Sequence, residues 1–368
     1  MGFDPHQRGP FYCGKPTKGH DPSPGHFHSD MLPPLRRMPE QNGQMQTVLV
    51  LGGGFLGAQI AHRVHCGGRE VTVLTRTEPQ RYRASLLSGC RVIVGDIGDG
   101  ALLRTTVRPV GHIIYALGAL HPYASNFDPT TDVSTSLLPL LAVLREVRRG
   151  QTCTFLSSGG TVYGDAAQTP TPEEAPTNPL SSYGIMKLAG EKYTLLYQRL
   201  QQIQPRILRI GNVYGPGQQS ELGQGVVGAL LDCAESGNLL EVFGDGSVVR
   251  DYIHVEDVSD AVARLLDAPP EPHLLNVGTG VATSVSQVLA VVCAVSSRPT
   301  TVKYLPGRAT DVQRSVLDTR RLQDLISFSP RSLEAGVLDT WNARGKQQPP
   351  RQLDPLSVAP TPLVLTPE

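Results

Sequence analysis

The 368-residue chain has no run of 18 apolar residues, which excludes a membrane-spanning helix. It has no excess of charge either. Its 33 basic and 33 acidic side chains cancel, which argues against a nucleic-acid binder held by phosphate neutralisation. No C-x-x-C spacing occurs among Cys13, Cys66, Cys90, Cys153, Cys233 and Cys293, so neither a zinc ribbon nor a disulfide scaffold is expected, and a reducing cytoplasm fits best. Residues 1–44 lack any apolar period. They hold eight Pro, six Gly and four His and cannot bury enough surface to offset their ordering entropy. They read as a disordered tail, an extension upstream of a start at Met45, without the apolar core of a signal peptide. The four His read as polar filler, and no metal is expected. Residues 349–368, with six Pro in twenty, read as a second loose tail.

Between the tails, short β-branched runs alternate with longer helical stretches. Strands are predicted at Thr47–Leu51, Glu70–Leu74, Arg91–Val94, His112–Ala116 and Thr152–Leu156, with helices at Phe55–Cys66, Val133–Arg148 and Ser182–Leu200. This alternation implies an α/β fold, a doubly wound parallel sheet with helices on both faces. Beyond about residue 212 the pattern loosens around a helix at 257–267, and a smaller lobe interleaved with the first is expected. The division is a dinucleotide-binding domain over 45–212 with parts of 247–280, a substrate-binding lobe over 213–246 and 281–345, and tails at 1–44 and 346–368.

The first strand runs into Gly52-Gly53-Gly54-Phe55-Leu56-Gly57, a G-x-G-x-x-G at Gly52, Gly54 and Gly57. The first Gly permits the tight turn, the second admits a pyrophosphate to the backbone, and the third lets the helix pack on the strand with its N-terminus toward the phosphates. Dinucleotide binding is the expectation. The acid that holds the ribose of NAD is missing from the end of the second strand, where Thr75 and then Arg76 stand. Arg76 reads either as a partner for the 2′-phosphate of NADP or as a solvated surface residue. Asp96 and Ile97 follow the third strand and are assigned to the adenine edge, with an ordinary turn as the competing reading. Ala116, ending the fourth strand, completes the cofactor set.

Tyr183 and Lys187 stand i, i+4 on a predicted helix and share a face. A cation beside a phenol favours the phenolate and is expected to lower the tyrosine pKa, giving a base for a sugar or alcohol hydroxyl.

With these residues in order, the chain resembles the extended short-chain dehydrogenase/reductases of the nucleotide-sugar epimerase/dehydratase group. The resemblance covers about 45–342 and adds Ser157-Ser158-Gly159-Gly160-Thr161-Val162-Tyr163-Gly164, the segment 208–217 (LRIGNVYGPG), the segment 242–247, the segment 250–258 (RDYIHVEDV), the segment 276–280 and Arg308–Asp311. It implies a Rossmann-type fold, Tyr183 as base, Lys187 on the nicotinamide ribose, and Asn212, Arg250 and Arg308 on a substrate diphosphate. It implies a homodimer through helices 133–148 and 182–200. Phe243 reads as near the base or as core, and His254 as a cap or brace at the lobe junction. Three positions depart from the group. Gly159 stands where a Ser or Thr usually does, so the hydroxyl for the reacting oxygen falls to Ser158 or Thr161, either of which also reads as a plain strand-end or turn residue, or is absent. Gly160 and Thr161 replace the Asp-Glu of the 4,6-dehydratases, which disfavours removal of water, and the missing Glu also disfavours decarboxylation. Asp132 replaces an Asn. The implied activity is a nucleotide-sugar 4-epimerase with NAD, or NADP because of Arg76. A net ketoreductase and a non-catalytic nucleotide sensor are the rivals.

Overall fold

The computed structural model describes residues 47–79, 82–118, 125–218, 225–298, 300–307 and 312–347. The predicted tail over 1–44, most of the one over 346–368, and Arg308 lie outside these residues. The strands are β1 (Thr47–Leu51), β2 (Glu70–Thr75), β3 (Arg91–Val94), β4 (His112–Tyr115), β5 (Thr152–Ser158), β6 (Gln204–Ile210), β7 (Asn212–Tyr214), β8 (Leu240–Phe243), β9 (Val249–Arg250), β10 (Tyr252–His254), β11 (Leu274–Val277), β12 (Thr283–Ser284), β13 (Val302–Leu305) and β14 (Arg314–Ser315). The helices are α1 (Phe55–Cys66), α2 (Tyr82–Leu86), α3 (Gly100–Val107), α4 (Pro129–Asp132), a π-helical turn (Val133–Leu137), α5 (Leu138–Glu146), α6 (Ser182–Gln201), α7 (Val226–Ser236), α8 (Val255–Leu265), α9 (Val285–Ser296), α10 (Arg320–Ile326) and α11 (Leu333–Gln347).

β1 shows why the sheet forms. Val48 and Val50 face one core with Ile60, Val64, Val258 and Val262, while Leu49 and Leu51 face another with Leu103, Leu140, Val143 and Leu144. A strand apolar on both sides of its period of two needs a helix layer on each face. The main sheet is seven-stranded, in the order β3-β2-β1-β4-β5-β6-β11, and every pairing is parallel. This is the doubly wound Rossmann-like architecture. Because the strands are parallel, the ends of β1, β4, β5 and β6 open on one edge, where the predicted site residues lie.

The chain leaves this sheet after β6 and returns for β11. The intervening and following segments build a separate core from Tyr214, Leu230, Leu231, Val288, Val292 and Val337. β8 pairs with β13, and β9 lies between β12 and β14. Asp251 ties the junction. It is 1% exposed, and its carboxylate accepts from Thr279 N (2.8 Å), Thr279 Oγ1 (2.7 Å), Gly280 N (3.0 Å) and Leu317 N (3.3 Å). Four donors on one ionised acceptor stabilise a buried charge that would otherwise be costly.

Two helix expectations change. The helix read as 133–148 starts at Pro129, with Asp128 accepting from Thr131 N as its N-cap, and a π turn over Val133–Leu137 interrupts it. Pro139 lies at the start of α5, where a missing N–H does no harm. The helix read as 257–267 is Val255–Leu265, two residues earlier. His254 caps it, Nδ1 accepting from Glu256 N at 3.4 Å. Burial and the nearby Arg331 hold this imidazole down at about 3, so it stays neutral and can accept. Phe243 is 40% exposed at the end of β8, so the core reading of that side chain fails.

Candidate active site

The glycine turn has the shape its sequence implies. Gly52 sits at φ 109, and a Cβ there would come within 2.8 Å of Ala116 O. A Cβ on Gly57 would collide with the Gly52 carbonyl oxygen, so α1 packs against the turn only because residue 57 has no side chain. Gly54 differs from both: its Cβ would meet nothing within 4 Å. The space in front of it is open, and α1 begins there without a side-chain cap. Phe55 and Leu56 carry the first N–H groups of that helix, which remain available to an anion. This cradle fits a pyrophosphate.

Around it, Thr75 is buried at the end of β2 and donates to Thr77 O at 3.2 Å. Arg76 is exposed and makes no side-chain hydrogen bond among the described residues. Asp96 Oδ1 accepts from Gly98 N at 2.6 Å, which makes it a turn-forming residue, and Ile97 packs against the core on that face.

α6 carries the predicted pair, Tyr183 and Lys187. Its first N–H groups are satisfied from several places: Ser182 N donates to Asn126 Oδ1 (2.9 Å), Tyr183 N to Ser125 Oγ (3.0 Å) and Gly184 N to Ser181 Oγ (3.2 Å). Such capping fixes the first turn and therefore the direction of Tyr183. Ser125 and Asn126 were not foreseen. They stand far away in sequence, and only the Ser181-Ser182 pair carried a local N-cap signal.

The Ser158 hydroxyl at the end of β5 stands near the Tyr183 phenol and acts to lower its pKa. Contrary to expectation, the net shift is upward. Burial, partly offset by the Ser158 hydroxyl and reinforced by the carboxylate of Asp132, pushes it up to about 12. Lys187 is not among the groups that shift it, although its ammonium lies over the Tyr183 ring. The Lys187 Nζ donates to Leu156 O at 2.9 Å and lies 5.6 Å from the Tyr183 ring centroid and 5.4 Å from that of Phe155. Burial lowers Lys187 itself to about 8, against the opposing pull of Asp132 and Glu191.

The loop after β5 accounts for the departure at Gly159. A Cβ there would lie 2.6 Å from Leu317 Cδ1 and 3.1 Å from Arg209 O, so this position holds no Ser as packed. Ser158, the residue before it, carries the hydroxyl that acts on the Tyr183 phenol. Thr161 Oγ1 is buried and has no partner among the described residues. An unpaired buried hydroxyl is costly and marks a donor left for a ligand. A Cβ on Gly160 would lie 3.1 Å from the Asn212 amide oxygen, which brings β7 against the same loop. Arg250 is half-buried on β9, with Nη1 donating to Val249 O at 2.9 Å. Among the described residues, no three His, Cys, Asp or Glu side chains come together to hold a metal.

The open glycine cradle and the uncapped start of α1 have the form of a dinucleotide-binding turn. The model of the NAD dependent epimerase/dehydratase family matches residues 48–278. The chain is 30% identical over 304 residues to the UDP-glucose 4-epimerase of Mycolicibacterium smegmatis, covering 80% of this chain and 97% of that protein. Among solved structures, it matches the UDP-glucose 4-epimerase of Thermotoga maritima with UDP-glucose at TM-score 0.75 and 28% identity, covering 82% and 99% of the two chains. It matches the Thermus thermophilus UDP-glucose 4-epimerase in complex with NAD at TM-score 0.73 and 29% identity, covering 81% and 99%. The chain belongs to the NAD-dependent epimerase/dehydratase family. It is an extended short-chain dehydrogenase/reductase whose cofactor is NAD.

Proposed function

We propose that this protein is a nucleotide-sugar epimerase that inverts carbon 4 of the sugar, with Tyr183 as the base. The observation that carries this reading is the meeting of the Tyr183 phenol and Ser158 hydroxyl beside a loop with Gly160 and Thr161 at its acid positions. A site built this way can take a proton from a carbinol and return it. It has no carboxylate there to expel water from neighbouring carbons. Ser158 orients the phenol, Lys187 holds positive charge behind it, and Thr161 offers its unpaired hydroxyl to the sugar. Gly52, Gly54, Phe55, Leu56, Gly57 and Ala116 would hold the cofactor's pyrophosphate side, and Thr75, Arg76, Asp96 and Ile97 its adenosine. When bound, NAD would supply a reversible hydride acceptor, so none would be consumed in an epimerisation.

The lobe over 213–246 and 281–345 is read as the substrate lobe, with Asn212, Arg250 and Arg308 on the diphosphate. α6 exposes Ile185 (50%), Tyr193 (37%), Leu196 (43%) and Leu200 (64%), spaced so that they share one face. This apolar stripe and Leu138 on α5 support a homodimer through these helices, and free cysteines throughout the described residues suit a cytoplasmic protein. A net ketoreductase is the second reading, favoured by Thr75-Arg76 where an acid would select NAD. Incubation with UDP-glucose decides. Interconversion with UDP-galactose, followed by NMR with no net change at 340 nm, is expected; stoichiometric cofactor consumption overturns the epimerase. Tyr183→Phe abolishes turnover in an enzyme and leaves ligand response intact in a sensor.

A further inference from the structure

The segment 313–318 runs along the loop that follows β5 and is bonded to it in several places. Gln313 N donates to Asp165 Oδ1 at 3.4 Å, and Ser315 Oγ donates to Gly159 O at 3.4 Å. Thr171 N donates to Val316 O at 2.8 Å, and Asp318 N to Thr171 O at 2.9 Å. The same segment is tied to the strands beside the lobe junction. Ser315 of β14 stands in register with Arg250 of β9, and Leu317 N donates to Asp251 Oδ2 at 3.3 Å.

Leu317 is the side chain this segment places against the loop. It is 1% exposed and forms a small core with Val162 and Tyr163, against which Leu188 of α6 packs. Its Cδ1 and Cδ2 stand 2.6 and 2.8 Å from where a Cβ of Gly159 would be, so the leucine fills the volume a side chain there would need. Residues 159 and 160 are both glycine, and they separate Ser158 from Thr161. A glycine pair does not hold a conformation by itself. Backbone bonds pin Gly159 N to Ile210 O at 2.8 Å and fold Val162 N onto Ser158 O at 3.1 Å. Between those bonds packing sets the path, with Leu317 against Gly159 and the Asn212 amide against Gly160.

We propose that Leu317 is a positioning residue of the site: by filling the space above Gly159 it fixes the glycine pair, and with it the places of the Ser158 and Thr161 hydroxyls relative to Tyr183. Leu317 acts through Gly159 and touches no reacting atom. The two hydroxyls are therefore set in part from the segment bonded to Asp251, and not only from the loop on which they stand. Truncation of the leucine leaves a cavity beside two glycines, and the loop then samples other conformations. Arg250 keeps separate support, because β9 pairs with β12 as well as with β14. The loss falls on the placement of the hydroxyls rather than on the binding of a diphosphate.

The proposal rests on the reading of Tyr183, Ser158 and Thr161 as the site, and its test separates from that reading. In the full chain with saturating NAD, amide hydrogen exchange of peptides covering 157–163 is followed by mass spectrometry. Leu317→Ala is expected to speed exchange there about tenfold or more. Leu317→Met, which conserves volume, stays near wild type. Leu230→Ala, in the separate core with Tyr214 and Val292, controls for lost stability and leaves 157–163 unchanged. Unchanged exchange in Leu317→Ala, or equal acceleration in Leu230→Ala, overturns the proposal. With UDP-glucose, Leu317→Ala lowers kcat by about ten- to a hundredfold while KM stays within about twofold, and Leu317→Met restores most of the loss. A raised KM at unchanged kcat also overturns it. If the wild type does not turn over UDP-glucose, the reading of the activity fails and the exchange measurement decides the proposal alone. If Leu317→Ala does not fold, Leu317→Val carries the same measurements, with the same signs and a smaller factor.

Discussion

Two charges sit one turn apart on α6, Glu191 buried and Lys187 half-buried, and the fold treats them differently. Glu191 is 2% exposed and meets Arg209 through a bidentate pair, with Ser157 adding a further bond. The Arg209 guanidinium also lies 4.6 Å from the Tyr163 ring centroid, and its Nη1 donates to Glu173 O. Every polar atom there has a partner, and the pair is structural. Lys187 has one backbone carbonyl and a distant carboxylate, and its pKa falls to about 8. A fully satisfied pair locks the helix to β6, whereas a partly satisfied one can change protonation near working pH. Chemistry belongs to the second kind of site.

The sharpest way to separate the two is Tyr183→Phe beside Arg209→Met. Removal of the phenol is expected to cost about 10²–10⁴ in turnover with little change in thermal stability, read by sugar interconversion and by melting. Arg209→Met leaves Glu191 buried and unpaired and should cost about 3–5 kcal/mol of stability in chemical denaturation. Adding Glu191→Leu should restore most of that loss. If Arg209→Met instead left stability intact, the structural reading of this pair would fail.

Protonation sharpens the contrast further. Lys187 loses its proton near 8 in the fold and near 10.5 in the unfolded chain. Across that window the unfolded state binds more protons, so stability rises with pH. Tyr183, raised to about 12 from 10, acts in the opposite sense only above pH 10. Between pH 8 and 10 the wild type should therefore gain stability relative to Lys187→Met, measured by denaturant midpoints; parallel curves would contradict the burial of the ammonium.

Gly159→Ser probes the loop between the two charges. The added Cβ meets Leu317 at 2.6 Å, and overpacking of about 1–3 kcal/mol is expected, relieved when Leu317→Ala is combined with it. The smallest effect belongs to an exposed pair. Arg63 bridges α1 to Asp260 of α8 at 2.6 Å with its side chain 44% exposed, and Arg63→Ala should cost no more than about 1 kcal/mol. A loss as large as that of Arg209→Met would remove burial as the reason for the contrast.

Much of the fold was legible because its signals are local. β1 and α1 fall on the predicted residues, since a period-two apolar strand followed by a glycine turn encodes its own geometry. The start of α4 was also written locally, in Asp128 and Pro129, and was missed by attending only to apolar period. The π turn gave no such sign. Val133–Leu137 reads as ordinary helix, and its altered winding accompanies the bonds that Asp132 accepts from Ser136 and from Ser182 of α6. The direction of the Tyr183 pKa failed for a related reason. Spacing places an ammonium on the same helix face, but where its Nζ points is decided by Leu156 of another strand.

The sequence by itself determined the parallel sheet, the glycine turn and the tyrosine–lysine face, because each depends on residues within a few positions of one another. Only the tertiary structure decided that Ser158 acts on the phenol, that Leu317 closes the space above Gly159, and that Ser182 of α6 bonds to the buried Asp132. Those outcomes depend on burial and on contacts between distant segments, and the free energy of a charge or a hydroxyl is set by what surrounds it in space.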